Sequence, residues 1–191
     1  MRSINLRYLN LPKVPNDLID DFIAKTDLYP MMENEYAVLK GTNLYKWTDE
    51  YKIANLYKWT DEYNERINIW GQKNICEDAY FGFQIMKGNV LPHKDHLNNH
   101  YGNEPLQPSS KLVYLISQGG ENVLTRFWLD DKKTLINEYN IQTNRWHLLQ
   151  IDTVHSVEGV EPGKIRWSIV AQMLHRLPYE RQNKSQKDMC V

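Results

Sequence analysis

From Ala79 to Met173 the chain is a succession of short apolar runs, rich in β-branched and aromatic residues and broken by Gly, Pro and Asn. That pattern commits this half of the molecule to strands and turns, because such side chains fit a pleated surface and such breakers end it. The runs are AYFGFQIM (79–86), LPHKDH (91–96), KLVYLIS (111–117), VLTRFWL (123–129), WHLLQID (146–152) and KIRWSIVAQM (164–173), with GNEPLQPSS, SQGGEN and GVEPGK among the loops. Several short strands at this spacing predict a sandwich or barrel.

Upstream of that switch the period is helical. In NDLIDDFIAK (16–25), Leu18, Ile19, Phe22 and Ile23 form one apolar stripe behind a Pro15-Asn16 start. A nonapeptide, NLYKWTDEY, then occurs twice, at 43–51 and 55–63. A 12-residue displacement leaves the copies about a third of a turn out of phase on one helix, which predicts two short helices, or a helix plus an outlying turn. The second copy continues into Tyr63, Ile67 and Trp70 at i, i+4, i+7, so a helix is expected over 60–70 with Gly71 as its stop. Helices flanking a mainly β core follow, in one domain over 1–177: a helical part at 1–75, the β core at 79–175 and a polar tail at 178–191.

Hydrophobic residues make up 41% of the 191 positions and aromatics 12%, enough apolar surface to offset chain entropy and exclude wholesale disorder. Lys plus Arg (23) balance Asp plus Glu (24), so nothing draws the chain to polyphosphate and a nucleic-acid partner is disfavoured. No apolar run reaches the ~18 residues of a membrane span. With two cysteines, Cys76 and Cys190, and no apolar leader in MRSINLRYLN, a reducing, cytoplasmic setting is expected. Cys76 is expected to pack as a buried thiol.

The chemistry concentrates in three places. His93 and Asp95, at i, i+2, share one side of an extended strand and converge on one metal ion. His155 is the best-placed third ligand, and two imidazoles with a carboxylate leave three open positions, an arrangement suited to Fe(II) binding a bidentate organic acid and O2. His96 and His100 crowd the same segment, and a set of His93, Asp95 and His100 competes, although it is very local. Arg166 and Ser168, again i, i+2 and beginning eleven residues past His155, put a guanidinium and a hydroxyl on one strand face, a clamp for a carboxylate.

The order HxD, distal His, RxS resembles the non-haem Fe(II)- and 2-oxoglutarate-dependent oxygenase superfamily, nearest the prolyl hydroxylase-like branch. The matching stretch is roughly 83–173 and includes FQIMKGNVLPHKD, KLVYLISQGGEN with its Gly-Gly turn, and DTVHSVEGVEPGKIRWSI. The resemblance implies a double-stranded β-helix (a jelly roll, cupin-like), with Fe(II) on His93, Asp95 and His155. It implies 2-oxoglutarate held by Arg166 and Ser168, with Tyr114 as a phenol on the same carboxylate. The implied activity consumes O2 and 2-oxoglutarate, releases succinate and CO2, and hydroxylates a protein side chain or small molecule. A nucleic-acid demethylase would carry a second arginine six residues beyond the clamp arginine, where this chain has Gln172. A non-catalytic cupin-like binding module is the competing class. His147, His175 and Arg126 read as structural, and the oligomeric state leaves no mark on the sequence.

Overall fold

The computed structural model describes residues 5–27, 45–46, 56–58, 62–86, 88–94 and 110–173. Its elements are β1 (Leu6–Leu9), α1 (Asn16–Asp27), β2 (Tyr45–Lys46), β3 (Leu56–Lys58), α2 (Glu62–Asn74), β4 (Ala79–Met86), β5 (Val90–His93), β6 (Ser110–Ser117), β7 (Leu124–Trp128), β8 (Leu135–Tyr139), β9 (Trp146–Gln150), β10 (Val154–Glu158) and β11 (Arg166–Met173). One sheet runs β1-β9-β6-β11-β4-β3-β2 and the other β5-β10-β7-β8. Every strand pair is antiparallel. Among the described residues, strands β4 to β11 divide four and four between the sheets, with β7 and β8 a hairpin in the small one, in a double-stranded β-helix, a cupin-like jelly roll with two helices on one side.

Strand alternation divides the core in two. On β11, Trp167, Ile169 and Ala171 join Phe81, Phe83, Ile85, Tyr114 and Trp146 in a cluster completed by Ile19 and Phe22 of α1 and Ile67 of α2. Phe22 stacks on Phe83 with ring centroids 3.7 Å apart, so α1 is fixed where its sequence stripe placed it. The opposite face of the large sheet carries Val113, Leu115, Leu149 and Val170, which meet Phe127 of the small sheet. A cavity lined by His93, His155 and Arg166 lies on this inner side.

The N-terminal part departs from expectation. It supplies strands β1, β2 and β3 as well as helices, and Tyr45–Lys46 of the first nonapeptide and Leu56–Lys58 of the second are extended, not helical. The copies pair with each other, Tyr45 opposite Lys58 and Lys46 opposite Tyr57, and the second also pairs with β4. Sheet pairing has overridden a local preference for helix. Nor does Gly71 stop α2, which runs on to Asn74. A Cβ on Gly71 would lie 2.4 Å from the Phe81 ring, so glycine serves close helix-to-sheet packing there. Cys76 is buried as expected, but it is disulfide-bonded, correcting its reading as a thiol. The 178–191 tail and His175 lie outside the described residues.

Candidate metal and carboxylate site

His93 ends β5 and His155 is the second residue of β10, and they are direct partners across that pair. Their ring centroids are 4.5 Å apart. The register shifts between the His155–His93 and Val157–Val90 pairs, so β5 carries one extra residue, a bulge at Leu91-Pro92. Without it His93, three residues from inward-facing Val90, would point to the outer face. Proline is tolerated because β5 is an edge strand.

Both rings are held in the same way. Nδ1 of His93 lies 2.8 Å from the carbonyl of Leu91, and Nδ1 of His155 lies 3.0 Å from that of Thr153. A carbonyl only accepts, so in each ring Nδ1 donates, and in the neutral ring Nε2 is the nitrogen that a metal would use. Asp95, His96 and His100 lie outside the described residues, and among the described residues no third His, Cys, Asp or Glu joins the two imidazoles.

The two histidines and Val157, from the small sheet, line one cavity with Gln84, Arg166 and Ser168 of the large sheet. Arg166 is 3% exposed, and among the described residues no carboxylate or carbonyl accepts from its guanidinium. Burial alone pulls its pKa down to about 10. A buried cation without a counter-ion is costly, and an anion entering the cavity removes that cost. Ser168 sits beside it, its Oγ 3.5 Å from the Gln84 carbonyl, and Thr125 Oγ1 on the facing sheet is buried with no hydrogen-bond partner among the described residues. Two imidazole Nε2 atoms, a buried guanidinium and two hydroxyls fit a divalent cation with a small carboxylate. The free space between them is narrow, about 30 Å³, room for one or two waters.

Tyr114, expected at this carboxylate, is not there. It follows Val113, and alternation turns it to the helix side of β6, where it packs 5.1 Å from the Trp146 ring. Burial raises its phenol pKa and a hydrogen bond with the Val14 backbone offsets part of that. On the same strand Lys111 lines the cavity instead. Sequence alternation alone signalled this choice, since Lys111 and Tyr114 have opposite parity. His147 is fully buried on β9, as a structural residue, with Nδ1 on the Val113 carbonyl. Arg126 faces outward between Glu138 and Glu158, an ion-pair position.

The chain matches no protein-family model and no curated protein. Among solved structures it is similar to an oxalate decarboxylase (12% identity, TM-score 0.37), covering 62% of this chain and 26% of that one. It is similar to a cupin-2 domain containing protein from Shewanella frigidimarina (9%, TM-score 0.36; 83% and 97% covered). It also resembles Fe(II)-HppE with an alternative substrate (9%, TM-score 0.36; 70% and 56% covered). This chain spans about a quarter of the oxalate decarboxylase chain. The fold rests on the strand order above.

Proposed function

We propose that this protein is an Fe(II)- and 2-oxoglutarate-dependent dioxygenase that hydroxylates a protein side chain or small molecule. The observation that carries this reading is Arg166, a buried guanidinium without an anionic partner among the described residues, on the wall of the cavity that His93 and His155 also line. In this reading His93 and His155 hold the metal through Nε2, Asp95 supplies the carboxylate ligand, and Arg166 with Ser168 takes the distal carboxylate of the cosubstrate. Bound Fe(II) with 2-oxoglutarate supplies an O2-dependent oxidation that releases succinate and CO2. The residues' own task is positional: two fixed rings and a planar guanidinium define one orientation for a chelating acid, and the apolar wall of Val90, Val113 and Val157 keeps water away. Given the narrow free space, side chains lining the cavity have to shift to admit a five-carbon diacid.

That narrowness favours a second reading, a cupin-like binding module without turnover. Anaerobic addition of Fe(II) and then 2-oxoglutarate separates the two. A visible charge-transfer band, followed by succinate on admitting O2, supports the oxygenase; metal binding with a colourless mixture supports the module. A cytoplasmic setting belongs to the same proposal; the Cys76 disulfide counts against it, because the cytoplasm keeps thiols reduced, and a thiol count showing that bond intact in protein from its native source overturns it.

A further inference from the structure

We propose that Gly119, in the turn after β6, is a positioning residue for Arg166; this rests on the reading of Arg166 as the carboxylate-binding group. Arg166 is the first residue of β11, so the loop that precedes it sets where its guanidinium enters the cavity. That loop, 159–165, is bolted to the Gly119 turn. The Glu161 amide donates to the Gly119 carbonyl at 2.9 Å, and the Glu121 amide donates to Glu161 Oε1 at 2.8 Å. Ser117 Oγ joins the two sides, accepting from the Gly119 amide and donating to the carbonyl of Ile165, each at 3.3 Å.

Gly119 is where this junction closes on Arg166 itself. Its φ is +76°, and a Cβ there would lie 2.8 Å from the Arg166 amide nitrogen and 3.1 Å from the Arg166 Cβ. The obstructing atom is backbone, with no rotamer to yield, so a side chain at 119 displaces the start of β11. A guanidinium binding a carboxylate through a planar fork is sensitive to such a shift. Gly163 separates this effect from backbone strain: its φ is +78°, yet its Cβ would meet nothing within 4 Å. Alanine at either position meets the left-handed penalty, but only at 119 does it press on Arg166.

The test is isothermal titration of Mn(II), and then of 2-oxoglutarate, into the full chain under argon, with near-UV circular dichroism to establish folding. Gly119→Ala should weaken 2-oxoglutarate about tenfold or more while leaving Mn(II) affinity within about twofold; Gly163→Ala should lose comparable thermal stability and leave both affinities alone. In the metal-free chain, the amide resonance of Arg166 should move in Gly119→Ala and not in Gly163→Ala. Should Gly119→Ala fail to fold, Ser117→Ala removes the side-chain link and should weaken 2-oxoglutarate about two- to tenfold. Wild-type 2-oxoglutarate affinity in the folded Gly119→Ala and Ser117→Ala chains, with binding lost in Arg166→Gln, overturns the inference and leaves the reading of Arg166 standing. Wild type and Arg166→Gln binding alike, or neither binding, overturns that reading and this inference with it.

Discussion

His93 and His155 face each other across the β5–β10 pair with ring centroids 4.5 Å apart, each ring fixed by a carbonyl two residues earlier in the chain. In the proposed reading, two imidazoles so close act as a unit toward a divalent ion. His93→Ala and His155→Ala should each weaken Mn(II) or Fe(II) binding beyond the about 10- to 100-fold that loss of a hydrogen bond supporting a ligand costs. Equilibrium dialysis with metal analysis measures it; an unchanged affinity in either variant removes that ring from the site.

Arg166 leads to a prediction of opposite sign for stability and for binding. Its pKa falls to about 10 through desolvation, so holding it charged at neutral pH costs roughly 3 kcal/mol. Because the folded value lies below the unfolded one, that cost is present in full throughout the physiological range and fades only as pH rises through the folded value toward the unfolded one. Arg166→Met should therefore raise the unfolding midpoint in urea while abolishing stabilisation by 2-oxoglutarate. A variant that loses stability would show that Arg166 has a protein partner and is structural.

The fold and the site were legible to different degrees, for physical reasons. Strands such as 79–86 declare themselves through residues that suit a buried pleat, and α1 through a stripe that seats Phe22 on Phe83. The edge strands β1 and β8 were missed because they alternate weakly, and β10 because VHSVE is short and polar in the middle. Within the site, the i, i+2 spacing of Arg166 and Ser168 survives because β11 is regular there on its β4 side. The inward turn of His93 depends on a bulge that only Pro92 hinted at, and the misassignment of Tyr114 came from family position overruling strand parity.

His147 gives the chain an acid-sensitive core. Its pKa is lowered from 6.5, first by desolvation, partly offset by the Val113 carbonyl and reinforced by Arg166 and Arg145, and its Nε2 is buried with no hydrogen-bond partner among the described residues. A base whose folded pKa is depressed binds its proton more readily when unfolded. Its contribution is complete above about pH 6.5 and is lost as pH falls through the lowered folded value, at about 1.4 kcal/mol per unit of difference. Urea unfolding at pH 7.5 and 5 should show a smaller pH dependence in His147→Met than in wild type. An identical slope would assign the acid sensitivity to other groups.

Gly71 sets helix propensity against packing. Inside α2, alanine is favoured over glycine by about 1 kcal/mol, so Gly71→Ala would stabilise an isolated helix. Here the new methyl would meet Phe81 ring atoms at 2.4 to 2.6 Å, and Phe81 is itself fully buried against Trp146 in the cluster between helices and sheet. Overpacking of this kind costs roughly 1 to 3 kcal/mol, so the variant should be net destabilised, with its unfolding midpoint in urea lowered. The pair Gly71→Ala with Phe81→Leu should recover part of that loss, because the smaller side chain vacates the space the methyl needs. If Gly71→Ala alone is more stable than wild type, the ring yields at little cost and α2 packs on β4 less tightly than these distances state.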